Sequence, residues 1–225
     1  MKLLAIDTAT EACSAALWID GEVTERFDIA PRQHASLILP MARQLLAEAE
    51  LTVPQLDLLA FGRGPGSFTG VRIAVSVIQG IAFAADLPVL PVSTLTALAQ
   101  GTLRARGAVR VLSAIDARMG ELYWSSCVSG PGGVMRPTGE EQLAAPSAIL
   151  LPEGSGWHGA GSGWCSHGEI LRQRLAERLQ ISHLDSYPHA LDIATLAAQD
   201  FSAGFEPLPA EQVLPVYLRN NVVRR

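Results

Sequence analysis

Charged residues make up only 17% of this 225-residue chain, and aromatic residues only 6%. Low charge beside a hydrophobic content of 48% excludes intrinsic disorder and allows a sizeable core. The chain also lacks a basic excess. Lys and Arg number 17 against 22 Asp and Glu, a net charge of −5, which gives no electrostatic footprint for gripping nucleic acid unaided. Cysteine is nearly absent. Cys13, Cys127 and Cys165 are odd in number and show no CxxC spacing, which excludes a disulfide framework and a thiolate zinc site. With no signal peptide, the expectation is three reduced thiols in the cytoplasm. No uncharged apolar run reaches membrane-spanning length, since the richest, Val71 to Leu90, is broken by Arg72, Asp86 and Pro88. Two phosphate-binding signatures are missing as well: the Gly-Lys-[Ser/Thr] ending of a P-loop, and the Rossmann glycine spacing. No Ser/His/Asp or Cys/His arrangement is readable either.

The most informative stretch is Gly62-Arg63-Gly64-Pro65-Gly66-Ser67-Phe68-Thr69-Gly70-Val71-Arg72. The short apolar run Leu56 to Phe61 before it predicts a buried strand, and Val71 to Ala85 after it predicts a buried helix. The segment is therefore a strand-to-helix turn, with Ser67 or Thr69 as helix cap. On spacing it reads first as a tight turn with a good cap, and second as an anion site behind glycines. The helix after it is apolar nearly all round, with Arg72, Ser76 and Gln79 as one narrow polar stripe. Such a helix must be covered on more than one side, by its own domain or by another chain. Gly80 in its interior costs about 1 kcal/mol against Ala, which suggests close backbone approach.

Lys2 to Asp7, Cys13 to Ile19 and Val23 to Ile29 predict a three-stranded meander, with Asp20-Gly21 as its second turn. His34 to about Glu50 predicts a helix with a wide apolar stripe. Pro40 tolerates only a first turn, so the helix is expected to start near Leu37–Leu39 or to kink. Ser93 caps a helix through Gln100. Val109 to Asp116, a turn, and Glu121 to Val128 repeat the opening strand–Asp–turn–strand, and this echo points to two related lobes. Ser129 to Pro137 reads as a Gly/Pro-rich loop, and Pro152 to Gly168 as Gly-rich loop that is either a second phosphate-approaching loop or flexible surface. His158 with Cys165 and His167 lacks a second ligand pair for a metal. Leu191 to Phe201 predicts a helix, and Pro215 to Arg219 an extended tail.

Four segments carry a resemblance to a known family: Leu4 to Thr10, Gly64 to Arg72, Asp116 to Glu121, and Pro215 to Arg219. In this order they resemble the TsaB (YeaZ) family of tRNA threonylcarbamoyladenosine biosynthesis. The resemblance spans essentially the whole chain, and Gly-Pro-Gly-Ser-Phe-Thr-Gly-x-Arg is its specific part. It implies an α/β, actin-like ATPase fold of the ribonuclease H-like class, in two lobes with a reduced second lobe. The lobes are expected at residues 1–106 and 107–225, with helix 191–201 packing back on the domain. In the catalytic relative, TsaD, two histidines of a Val-Asn-His-Met-x-Gly-His segment bind a metal. Here Val92 to Leu98 stands in that place, with Thr94 and Leu98 at the histidine positions, and neither is a credible metal ligand.

Two readings follow. One is a non-catalytic scaffold subunit that supports TsaD together with the ATPase TsaE, is homodimeric when alone, meets tRNA only through the complex, and uses no cofactor and no membrane. Its interface is expected at His34, Leu37, Met41, Leu45, Val71, Val75 and Ile78. The other is a small ATP-dependent phosphotransferase or hydrolase of the same fold. A vestigial or weak nucleotide site would comprise Asp7, Thr8, Gly64, Gly66 and Asp116. Ala9 tells against it, because phosphate-binding relatives commonly place glycine there.

Overall fold

The computed structural model describes residues 1–219. The N-terminal strands β1 (Lys2–Asp7), β2 (Ala12–Ile19) and β3 (Glu22–Ile29) form an antiparallel meander. Asp20 and Gly21 turn β2 into β3 with both φ values positive, 48° and 107°, as a two-residue hairpin requires. Helix α1 (His34–Glu48) leads to β4 (Leu58–Gly62), and α2 (Phe68–Ala85) to β5 (Val89–Val92); β4 and β5 run parallel to β1. The sheet order is β3-β2-β1-β4-β5.

Alternation along β1 divides the core. Leu4 and Ile6 face α1 and α2, while Leu3 and Ala5 face α5 (Ala190–Ser202). Helix α3 (Thr94–Arg106) is buried along most of its length, because it packs on both α5 and the second sheet. Ser93 caps it, accepting from the Thr96 N–H.

The second sheet contains β6 (Arg110–Asp116), β7 (Leu122–Ser129), β8 (Met135–Pro137), β9 (Gln142–Ala144), β10 (Trp157–Ala160) and β11 (Leu179–His183). Its order is β11-β10-β6-β7-β8, with β9 also pairing β7. Helix α4 (Ser162–Leu175) covers the face opposite α3, where Trp164 packs on Leu112, Ala114 and Trp124. Read from β8 to β11, this sheet repeats the path of the first. Two antiparallel pairings are followed by two parallel ones, although here only the last strand, β11, is reached through a helix, α4, while a loop leads into β10. Two such sheets joined by helices are the actin-like ATPase arrangement. Of the run 152–168, which the sequence presents as loop, Trp157–Ala160 is a strand and Ser162 onward a helix.

Helix α1 starts at His34 and passes through Pro40 without interruption, contrary to the expected later start or kink. The carbonyl that Pro40 cannot satisfy belongs to Ser36, and both residues lie on the exposed side, open to solvent. Helix α2 has the length and composition of a membrane span, with a mean hydropathy of 1.6 over its 18 residues. Its sheet-facing side is nevertheless core, and Arg72 stands on the other side. Beyond α5 the chain returns across the first sheet. Leu208 bridges to Val89, Val213 is buried beside α2, and Val216 reaches the Gly-rich turn. Residues 220–225, assigned from sequence to the second lobe, lie outside the described residues.

Candidate functional site

The Gly-rich turn and α2 meet the solvent on one side and the β1–β2 turn on the other. On the inner side, Ser67 N–H donates to the Ala9 carbonyl at 2.7 Å, and Thr8 Oγ1 donates to the Gly70 carbonyl at 2.7 Å. A Cβ on Gly66 would stand 2.4 Å from the Ala9 oxygen, and one on Gly70 2.0 Å from the Thr8 oxygen. Glycine is thus required here for close approach of backbone to backbone. Asp7 and Thr8 are fully buried beneath this contact. One oxygen of Asp7 accepts from the Ala9 N–H at 3.0 Å, and the other has no partner. Burial pushes the Asp7 carboxyl up to about 7, against the opposing pull of that hydrogen bond.

The residues expected at a phosphate site lie largely inside the fold: Asp7, Thr8 and Gly64 are buried, and Gly66 packs on Ala9. Asp116 sits in the corresponding turn of the second sheet and is more open. It accepts from the Arg118 N–H at 2.8 Å and from Ser166 Oγ at 3.0 Å. Thr94 and Leu98, at the positions of the relative's histidines, are core residues. The Thr94 hydroxyl accepts from the Gly64 N–H at 3.2 Å, and Leu98 packs between α3 and the second sheet. Among the described residues, no three His, Cys, Asp or Glu side chains gather as a metal site. His158 pairs with His183 at 3.1 Å rather than with Cys165 or His167.

The outer side is the candidate interaction face. The expected contacts divide by helical period. Val71, Ala74, Val75, Ile78 and Ala82 form the stripe on the sheet, with Leu45 and Ile38 of α1 beside them. Leu45, Val71 and Ile78 keep at most 1% of their surface, and Val75 and His34 under 9%. They hold the helices onto the sheet and leave nothing for a partner to cover. Leu37 and Met41 are half-buried at the edge.

The surface that remains consists of residues outside the expected contact set. Ile73 and Val77 are half-buried, Leu39 and Phe68 are about half exposed, and Phe83 is 84% exposed. A Cβ on Gly80 would meet nothing within 4 Å, so the close approach that glycine permits is not made by this chain. The signal was present in the spacing. The exposed stripe is offset by about two residues from the buried one, which a helical wheel anchored on Arg72 and Ser76 would have separated. An open pocket of about 440 Å³ lies between the helices, lined by Ala35, Phe68, Thr69, Arg72, Ile73, Ser76 and Val77.

Fold and face together define a two-sheet, actin-like protein whose first β-turn is closed by its own Gly-rich segment and whose α1–α2 pair is open to solvent. The family model described as TsaD, tRNA N6-adenosine threonylcarbamoyltransferase, matches residues 28–161. The tRNA threonylcarbamoyladenosine biosynthesis protein TsaB of Escherichia coli is 43% identical, over 99% of this chain and 96% of its own, and that of Haemophilus influenzae 40%, over 99% and 95%. A solved structure described as YeaZ from Pseudomonas aeruginosa is 46% identical and superposes with a TM-score of 0.89, covering 96% of this chain and 99% of its own. The chain belongs to the TsaB (YeaZ) family.

Proposed function

We propose that this protein is the non-catalytic partner subunit of a cytoplasmic complex that makes N6-threonylcarbamoyladenosine at position 37 of tRNAs. It binds the catalytic TsaD subunit through the outer side of α1 and α2, works there with the ATPase TsaE, and pairs with itself when alone. The observation that carries this reading is the exposed stripe around Gly80. Apolar side chains and a helix-weakening glycine lie together, on a face where the chain itself gains nothing from either. A partner helix packed across Gly80 would approach the α2 backbone closely. The non-catalytic role is supported by Thr94 and Leu98, whose side chains are committed to the core.

The phosphotransferase alternative would bring phosphate to the β1–β2 turn, and the packing of Ser67 and Gly66 on Ala9 in that turn speaks against it. The test is reconstitution. The chain mixed with the catalytic subunit should sediment as one complex, and the chain alone should leave tRNA unmodified. Transfer of threonylcarbamoyl to tRNA by the isolated chain would overturn the scaffold role.

A further inference from the structure

Arg72 projects from the exposed side of α2 and pairs with no carboxylate among the described residues. It is not loose. Its guanidinium lies 3.7 Å above the Phe68 ring, and its Nε–H donates to the Tyr217 hydroxyl at 2.8 Å. The Tyr217 ring closes against Phe68 at a centroid distance of 5.7 Å. One of five N–H donors is thus used, and the four on Nη1 and Nη2 find no acceptor among the described residues. The same residue lines the pocket between α1 and α2, with the Thr69 and Ser76 hydroxyls and with Ile73 and Val77 around it.

We propose that this pocket receives a carboxylate from the partner helix, an Asp or Glu flanked by apolar side chains, held in the fork of Arg72. The inference rests on the α1–α2 face being the docking surface, and it adds the chemistry of the partner. An apolar stripe alone would accept helices in many registers. A guanidinium stacked on one aromatic ring and tied at Nε has already lost its rotamer freedom, so a planar two-oxygen acceptor meets it pre-organised. The apolar walls favour a protein side chain over the phosphate of a nucleic acid. Tyr217 is the positioning residue, and the segment carrying it is fixed at both ends. Val216 N–H donates to the Arg63 carbonyl at 2.9 Å. Arg219 donates to the Ala117 carbonyl at 2.9 Å and pairs with Glu121 at 2.7 Å. The hold on Arg72 therefore begins in the β6–β7 turn of the second sheet.

The experiment is titration calorimetry of the full chain against the catalytic subunit at low and high salt, with circular dichroism to confirm folding of each variant. Arg72→Ala should weaken binding about tenfold or more and flatten its salt dependence. Arg72→Lys should recover only part, since a point charge replaces a fork. Tyr217→Phe, which keeps the ring and loses the hydrogen bond, should weaken binding severalfold. If Arg72→Ala binds like the parent with the same salt dependence while Ile73→Asp abolishes binding, the docking face stands and the carboxylate is wrong. If Ile73→Asp also binds like the parent, the docking reading fails and this inference with it. Loss of tRNA retention by Arg72→Ala complexes of unchanged subunit affinity would assign Arg72 to phosphate and overturn the proposal.

Discussion

A Cβ on Gly62 would stand 1.8 Å from the unpaired carboxyl oxygen of Asp7. Gly62 ends β4 and Asp7 ends the adjacent β1, so the glycine leaves room for the buried acid. Gly62→Ala should destabilise the protein by about 1–3 kcal/mol through overpacking. Adding Asp7→Ala should return part of that loss, because the two changes share one space. Urea denaturation measures both, and purely additive effects would disprove the coupling.

Asp7 also makes a pH prediction. Its folded value of about 7 lies above the ordinary 3.8 because burial disfavours the charge. Below about pH 4 the group is protonated folded and unfolded, and its full contribution is present. Between about pH 4 and pH 7 the unfolded chain releases the proton while the folded one keeps it, so stability is lost through that window. The loss levels off above pH 7 at on the order of 4 kcal/mol. Asp7→Asn removes this dependence. The stability of the variant minus that of the parent, from urea curves, should grow between pH 5 and pH 8. A difference that stays constant would show that Asp7 is not held protonated.

Arg104 meets the buried Asp192 of α5 with two hydrogen bonds of 2.9 Å, from Nε and Nη2. Arg104→Ala leaves that carboxylate buried without its partner and should cost about 3 kcal/mol. Arg104→Lys should recover less than half, since one ammonium cannot reproduce both bonds. A melting-temperature series would reveal an error if lysine restored parental stability.

The two sides of α2 should respond differently. Ile78→Ala, in the core, should lower stability by about 2–5 kcal/mol. Phe83→Ser should leave stability within about 0.5 kcal/mol, yet weaken self-association or binding to the catalytic subunit by tenfold or more. Sedimentation with urea unfolding separates the outcomes. A Phe83→Ser variant that unfolds early, or that associates like the parent, removes Phe83 from the interface.

Much of the first sheet was legible because its signals are local. Asp20-Gly21 names its turn, Ser67 and Ser93 cap their helices, and the runs from Lys2, Cys13 and Leu56 are bounded by turn residues. The second sheet's later strands were not. Met135–Pro137 and Gln142–Ala144 are three residues each, too short for a periodic pattern, and Gln142–Ala144 pairs with β7 across the intervening β8 segment. Gly159 looked like loop because its small size serves Trp164, whose ring would lie 2.3 Å from an added Cβ. On α1 and α2, the sequence identified the helices but did not separate their sheet-facing side from their solvent-facing side. Leu45, Val71 and Ile78 are the most apolar positions, and the sheet claims them first because full burial gains more than a contact later shared with a partner. The position of Tyr217 on Arg72 depends on a chain reversal that no local signal announces.

The contact of Ser67 with Ala9 has one further consequence. A group on the same chain competes for a neighbouring pocket at a fixed effective concentration, roughly millimolar or above, that dilution does not lower. A free anion arriving at the β1–β2 turn faces that standing rival and must also displace two short hydrogen bonds. The shape of α2's first turn is thus set by the chain's own contacts with the β1–β2 turn, at any dilution of the protein.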